Sequence, residues 1–251
     1  MKNSLLVFEE LSSTQDQART ELEQGSDDIV WVQAKQQKQG RGRQGRAWQS
    51  HPGDLLVSCA LRLPPSITTR KSLATLVAGQ VLWRALGEER DLLARGLFLK
   101  WPNDLFLKTS SGFQKIAGIL GESPKVDLLI LGWGVNLSPT PKHLPTGTPY
   151  TATSLNQLEI PISAEKLIEK MQSLWDELFQ NWLKNPETFQ NELIQNLNAG
   201  AMKPFFGLRG EWLPSRKAVR AIEMDSEGRL VVESLDTNER VVLSSGEFQL
   251  R

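Results

Sequence analysis

Between residues 35 and 48 the chain carries Lys35, Lys38, Arg41, Arg43 and Arg46 and no acid. Glycines alternate with the arginines in GRGRQGRAW, residues 40–48. Glycine lets backbone N–H groups approach a ligand closely, and successive N–H groups form an anion-binding nest. Arginine adds a planar fork that matches carboxylate and phosphate oxygens. The run therefore suits an anionic ligand. A solvated flexible loop, or an RGG-like nucleic-acid contact, is the other reading of the same composition. RGG tails sit in long biased tracts, whereas this run has patterned segments on both sides.

Three further segments place polar groups beside apolar runs. KWPND, residues 100–104, ends one strand on Lys100 and presents Asn103 and Asp104 from a proline turn. Asp104 is a candidate magnesium ligand and Lys100 a candidate phosphate contact; a plain hairpin turn explains the segment as well. In QKIAGILGE, residues 114–122, Lys115 enters an apolar strand. Burying a lysine is costly unless it is paired, so it needs an anionic partner or a snorkelling path to solvent. In LGWGVNLS, residues 131–138, Asn136 follows an apolar strand. Its amide offers the donor and acceptor that an adenine edge requires, though an Asn also simply ends strands.

Other reactive side chains are poorly placed. Cys59 lies in the apolar run 55–63 and reads as a buried, inert thiol. A lone cysteine fits a reducing cytoplasm. His51 stands beside Pro52-Gly53 and His143 in a Pro-rich stretch, so both read as loop histidines. Two histidines and one cysteine leave no ligand set for structural zinc.

The elements that must position these groups follow from periodicity. Ser12, Ser13 and Thr14 precede a helical pattern ending at Gly25, which reads as a hydroxyl-capped helix. Residues 29–34 and 55–63 are strands, and 35–50 a loop. Residues 71–86 form a helix. Strands at 97–101 and 105–107 flank the Pro102-Asn103-Asp104 turn. Residues 116–120 and 126–135 are nearly all apolar, as in central strands covered on both faces. Ser163 caps a helix with Leu167, Met171, Trp175, Leu178 and Trp182 on one core-facing stripe. Asn185-Pro186 opens another helix, with Gly200 past its end. Short strands at 217–224, 229–235 and 240–243 form a β-rich tail.

Composition sets the bounds. The 251 residues allow one large domain, or a medium one plus a small one. There are 29 basic and 29 acidic residues, so the whole molecule carries no nucleic-acid footprint and electrostatic function must be local. No apolar run reaches membrane-spanning length, and the apolar stretch near the start is too short for a secretory core.

The order and spacing of the segments resemble the biotin–protein ligase family. That family runs from a GRGRxGRxW loop to KWPND, K-[LIV]-AGIL-x-E, a strand ending in G-[IV]-N, and GE-x-x-LR. Here stand GRGRQGRAW, KWPNDL, KIAGILGE, GWGVNLS and GEFQLR, and the upstream SSTQ resembles [DS]-S-T-N. The resemblance implies an α+β fold. A mixed, mainly antiparallel sheet packed with helices, class II synthetase-like, would span 1–200, with a small C-terminal SH3-like β-barrel over 201–251. Biotin would meet Ser13, Thr14, Gln15, Gln37, Arg41, Gly42, Arg43 and Lys115, with Gln15 standing where the family has Asn. Arg41, Arg43 and Lys115 would be catalytic. Arg43, Arg46, Lys100, Asn103 and Asn136 would hold ATP and the adenylate, with Asp104 on Mg2+.

The implied activity activates biotin with ATP to biotinyl-AMP. It then transfers biotin to a lysine of the biotin carboxyl carrier domain of acetyl-CoA carboxylase. The protein is expected in the cytoplasm, off membranes; a homodimer is compatible with the resemblance. Two rivals are weighed. Lipoate and octanoate ligases carry an R-x-S-G-G-G run, absent here. Some biotin ligases bind DNA through an N-terminal helix-turn-helix domain; the S-S-T segment starts at Ser12, leaving no room for one, so DNA binding is not expected. The Gly/Arg loop is expected to be mobile without ligand, since its cations repel and nothing apolar anchors residues 35–47.

Overall fold

The computed structural model describes residues 3–87, 92–138, 151–160, 162–213 and 215–250; His143 and most of its Pro-rich stretch lie outside the described residues. In chain order, β1 (Asn3–Leu11) leads into α1 (Thr14–Gln24), β2 (Ile29–Gln37) and β3 (Leu55–Arg62). Then come α2 (Pro65–Thr68), α3 (Ala74–Gly87), β4 (Phe98–Lys100) and β5 (Asp104–Thr109). The long hairpin β6 (Gly112–Lys125) and β7 (Leu128–Val135) follows, with the two-residue β8 (Thr151–Ala152). Helices α4 (Ala164–Lys184) and α5 (Pro186–Asn196) precede β9 (Arg209–Leu213), β10 (Lys217–Met224), β11 (Leu230–Ser234), β12 (Arg240–Leu243) and β13 (Glu247–Leu250).

The first sheet has eight strands in the order β1-β2-β3-β7-β6-β5-β4, with β8 added alongside β6. Only β1–β2 and β6–β8 are parallel, so the sheet is mixed and mainly antiparallel. The apolar strands β3, β7 and β6 are central, as their composition demands. Alternation assigns each side chain to a face. Ile29, Trp31, Val57 and Cys59 pack into the main core with α3 and α4. Val30, Val32, Ala60 and Ile130 point the other way, onto Ala18 and Leu22 of α1. Cys59 is fully buried, and burial pushes its thiol well above the usual value.

The second sheet has five strands, β12-β11-β10-β9-β13, all antiparallel neighbours. Its Val219, Ala221, Leu230 and Phe248 belong to the same apolar cluster as Trp175 and Leu76, so the two sheets share one core. Trp101 donates its indole N–H to Gly228 O at 3.1 Å across that junction. No helix among the described residues is long and apolar enough to cross a membrane.

Several sequence expectations change. The first strand, β1, pairs in parallel with β2, although its short apolar run gave no strand signal. β2 continues to Gln37, into what the polar composition suggests is loop. Ser13 stands at the N-cap of α1 but makes no side-chain cap, whereas Ser163 accepts from Lys166 N. The Gln37 side chain substitutes at α1, accepting from Thr14 N at 2.7 Å. Gly200 does not end α5; it lies inside a π-turn, residues 197–201. The segment around Trp212, outside the three tail strands expected, forms β9 and lies between β10 and β13.

Candidate active site

On the α1 face of the first sheet, side chains change character along the strands. Beside α1 they are apolar; past its N-terminus they become Ser58, Gly132, Gly134 and Gly118, and a cavity opens over them. One cross-strand row runs Lys100, Asp104, Gly118, Gly134 and Leu56. The next runs Leu120, Gly132 and Ser58. The glycines make a low floor. A methyl group on Gly118 would lie 2.9 Å from the Trp48 ring, and one on Gly134 would collide with the same indole.

Lys115 reaches this face through a bulge. Three residues from Gly118, it belongs on the opposite face of a regular strand. The register shifts between Leu105 and Phe106, which pair with Ala117 and Lys115, so Ile116 is the extra residue. The bulge re-aims Lys115 into the cavity. Its Nζ lies 2.6 Å from Asp104 Oδ1 and 5.5 Å from the Trp48 ring centroid. Lys100, fully buried, holds its Nζ 3.6 Å from Asp104 Oδ2. Burial pushes the Lys100 ammonium down from its usual value, with Asp104 opposing. Burial would likewise raise the Asp104 carboxyl, but Lys115 and Lys100 outweigh it and hold it below the usual range.

The cavity has two chemically different ends. One is neutral. Thr14 Oγ1 lies 2.7 Å from Ser58 Oγ and donates to Gln37 Oε1 at 3.0 Å. Gln15 Nε2 lies 3.4 Å from Leu120 O, its stem lying against Gly132. The other end is cationic, built by Lys100, Lys115, Arg43 and Arg46 around Asn103 and Asp104. Arg43 donates to Asn103 Oδ1 at 3.1 Å and to Gly246 O at 3.2 Å. Arg46 grips both carboxylate oxygens of Glu247, at 3.3 and 2.9 Å. Asn136 also lines the cavity and donates to Thr153 O at 3.1 Å.

Thr14, Gln15, Gln37, Arg41, Gly42, Arg43, Arg46, Lys100, Asn103, Asp104, Lys115 and Asn136 therefore line one cavity, as the sequence suggests. Ser13, buried at the start of α1, does not line it. The premise of unpaired, unanchored loop arginines is corrected. Arg41 pairs with Asp16 and Glu122 and Arg46 with Glu247, while Arg43 donates to the neutral acceptors Asn103 Oδ1 and Gly246 O. Arg41 bridges to Ala47, and Trp48 anchors the loop on the glycine floor. Its tip turns at Gln44 and Gly45, both with positive φ, 59° and 73°. Sequence reasoning missed Trp48 and Glu247 as cavity residues, and Ser58 as the buried hydroxyl behind Thr14; Trp48 and Glu247 stand inside recognised motifs, which was the available signal.

Magnesium is the cation expected with ATP. Asp104 does not fit as its ligand, because both carboxylate oxygens face ammonium groups and a divalent cation there would meet like charge. Among the described residues no three His, Cys, Asp or Glu side chains gather to hold an ion.

Comparison with known proteins places this geometry in context. The pattern of the Biotin/lipoate A/B protein ligase family matches residues 7–136. The bifunctional ligase/repressor BirA of Bacillus subtilis is 26% identical over 247 residues, 96% of this chain and 72% of that protein. A biotin–[acetyl-CoA-carboxylase] ligase of Paracoccus denitrificans is 37% identical over 124 residues, 48% of this chain and 49% of that one. Among solved structures, the biotin protein ligase from Aquifex aeolicus in complex with biotin and ATP superposes with a TM-score of 0.76. It is 26% identical, over 100% of this chain and 99% of that one.

Proposed function

Since the chain belongs to the biotin/lipoate A/B protein ligase family, we propose that it is a biotin–protein ligase, activating biotin with ATP and passing it to a carrier lysine. The observation that carries this reading is the two-ended cavity. A ureido ring needs donors and acceptors without charge, and the Thr14, Gln15 and Gln37 end supplies them. A carboxylate and a nucleotide phosphate need cations, and the opposite end supplies four. An octanoyl chain or dithiolane ring would displace water from these polar groups and offer their remaining donors and acceptors nothing in return, which is expensive, so biotin fits better than lipoate.

In the first step the biotin carboxylate attacks the α-phosphate and pyrophosphate leaves. Two anions must meet. Lys115 and Arg43 relieve that repulsion and stabilise charge in the transition state. Lys100, Arg46 and Asn103 hold the phosphate side, and Asn136 reads the adenine edge. Asp104 keeps both lysines charged and aimed. In the second step the carrier amine attacks the mixed anhydride carbonyl and AMP leaves; the loop with Trp48 excludes water until then. The carrier is the biotin carboxyl carrier domain of acetyl-CoA carboxylase, and the cytoplasm is the compartment that suits a lone, buried, reduced Cys59.

Biotin-dependent exchange of pyrophosphate into ATP tests the first step alone. Exchange with biotin and none with octanoate or lipoate is expected. Exchange driven by lipoate instead would replace this reading.

A further inference from the structure

We propose that Asp16, assisted by Glu122, is a positioning residue that clasps the Gly/Arg loop, and that Arg41 serves this clasp rather than the adenylate. The guanidinium of Arg41 donates to both oxygens of Asp16, each at 2.7 Å, and reaches Glu122 Oε2 at 3.4 Å. Both of its terminal nitrogens thus face carboxylates. A phosphate arriving at Arg41 must displace a bidentate, charge-assisted pair.

The placement of the two acids gives the clasp its effect. Asp16 lies in the first turn of α1, directly after Gln15. Glu122 lies in β6, two residues past Leu120, whose carbonyl Gln15 meets. Arg41 therefore joins the loop to the two elements that build the neutral end of the cavity. Gly40 and Gly42 flank Arg41, and glycines lose the most backbone freedom on ordering. Gly40 O accepts from Trp48 N at 2.8 Å, and Gly42 N donates to Arg46 O at 2.7 Å. Fixing Arg41 fixes both limbs of the loop and carries Trp48 onto the glycine floor. No acid inside residues 35–48 can do this, so the counter-charge comes from outside. The arginines divide the work: Arg41 ties the loop to the neutral end, and Arg43 and Arg46 tie it to the cationic end.

The kinetic half of the test rests on the ligase reading; the proteolytic half does not. Asp16→Asn, Arg41→Gln and the double variant are compared with wild type in biotin-dependent exchange. Each single variant should raise the KM for biotin about fivefold, the upper range for a partly exposed ion pair, with kcat within about twofold. The double variant should be no worse than either single one, because both remove the same contact. In the free protein, trypsin should cut the loop arginines faster in Asp16→Asn than in wild type. Wild-type KM and cleavage in Asp16→Asn, with kcat lost in Arg41→Gln, would overturn the proposal and put Arg41 on the ligand. Should wild type show no biotin-dependent exchange, the ligase reading fails, and the cleavage comparison alone decides: faster cutting supports the clasp, equal cutting overturns it.

Discussion

At the scale of single residues, the Lys100–Asp104–Lys115 group concentrates charge and cost. Two ammonium groups share one buried carboxylate, leaving a net positive site for an anionic ligand. Lys115→Ala should lower exchange about a hundredfold, the loss typical of one preorganised donor. Lys115→Arg should recover only part, because the guanidinium is wider and flatter. The same alanine variant should also lose about 1–2 kcal/mol of stability, since a buried carboxylate loses its nearest partner; an unchanged melting temperature would contradict the pairing. Asp104→Asn should be harsher, about 3–5 kcal/mol, because Lys100 is left buried without its counter-charge. The depressed Asp104 carboxyl stabilises the fold above about pH 4 and loses that contribution as pH falls through its folded value. Acid unfolding of wild type should therefore steepen below about pH 4, and Asp104→Asn should lack that component. The residue types at this site were legible in the sequence, and so was the need of Lys115 for an anionic partner. That the partner is Asp104, and that Asp104 serves lysines rather than metal, required knowing that Lys100 and Asp104 share one cross-strand row and that the bulge turns Lys115 toward it.

At the scale of elements, what decides the site is the face each strand presents. Most strands and helices were readable from apolar periodicity, because central strands and amphipathic helices carry their burial in their composition. The bulge at Ile116 was not readable: no glycine or proline marks it, and it exists only relative to the register of β5. Without it Lys115 would point into the main core. The glycine floor was half readable, as glycines interrupting apolar strands, but Trp48, the shared neighbour of Gly118 and Gly134, lies 70 residues from Gly118. Gly134→Ala tests that floor. Its methyl group must push the Trp48 indole aside, so exchange should weaken through a raised KM for ATP or biotin, with about 1–3 kcal/mol of destabilisation. Unchanged kinetics would show that Trp48 need not rest on the floor.

At the scale of the whole molecule, the second sheet is part of the site. The β-rich tail was visible as short strands with turns between them, but β9 and β13 were hidden by their shortness. β13 is the strand that brings Gly246 and Glu247 to Arg43 and Arg46. Because both sheets contribute to one apolar cluster, calorimetry should show a single cooperative unfolding transition; two separated transitions would mean that the tail melts alone. The Arg46–Glu247 pair has one more consequence, for the order of synthesis. The two residues are 201 positions apart, and at typical translation speeds that interval takes roughly 10–40 s. A nascent chain thus exposes Arg46 to the polyanions of the ribosome well before Glu247 has been made; Asp16 is already in place for Arg41, but the Arg46 limb of the loop finds its partner only once translation has delivered β13.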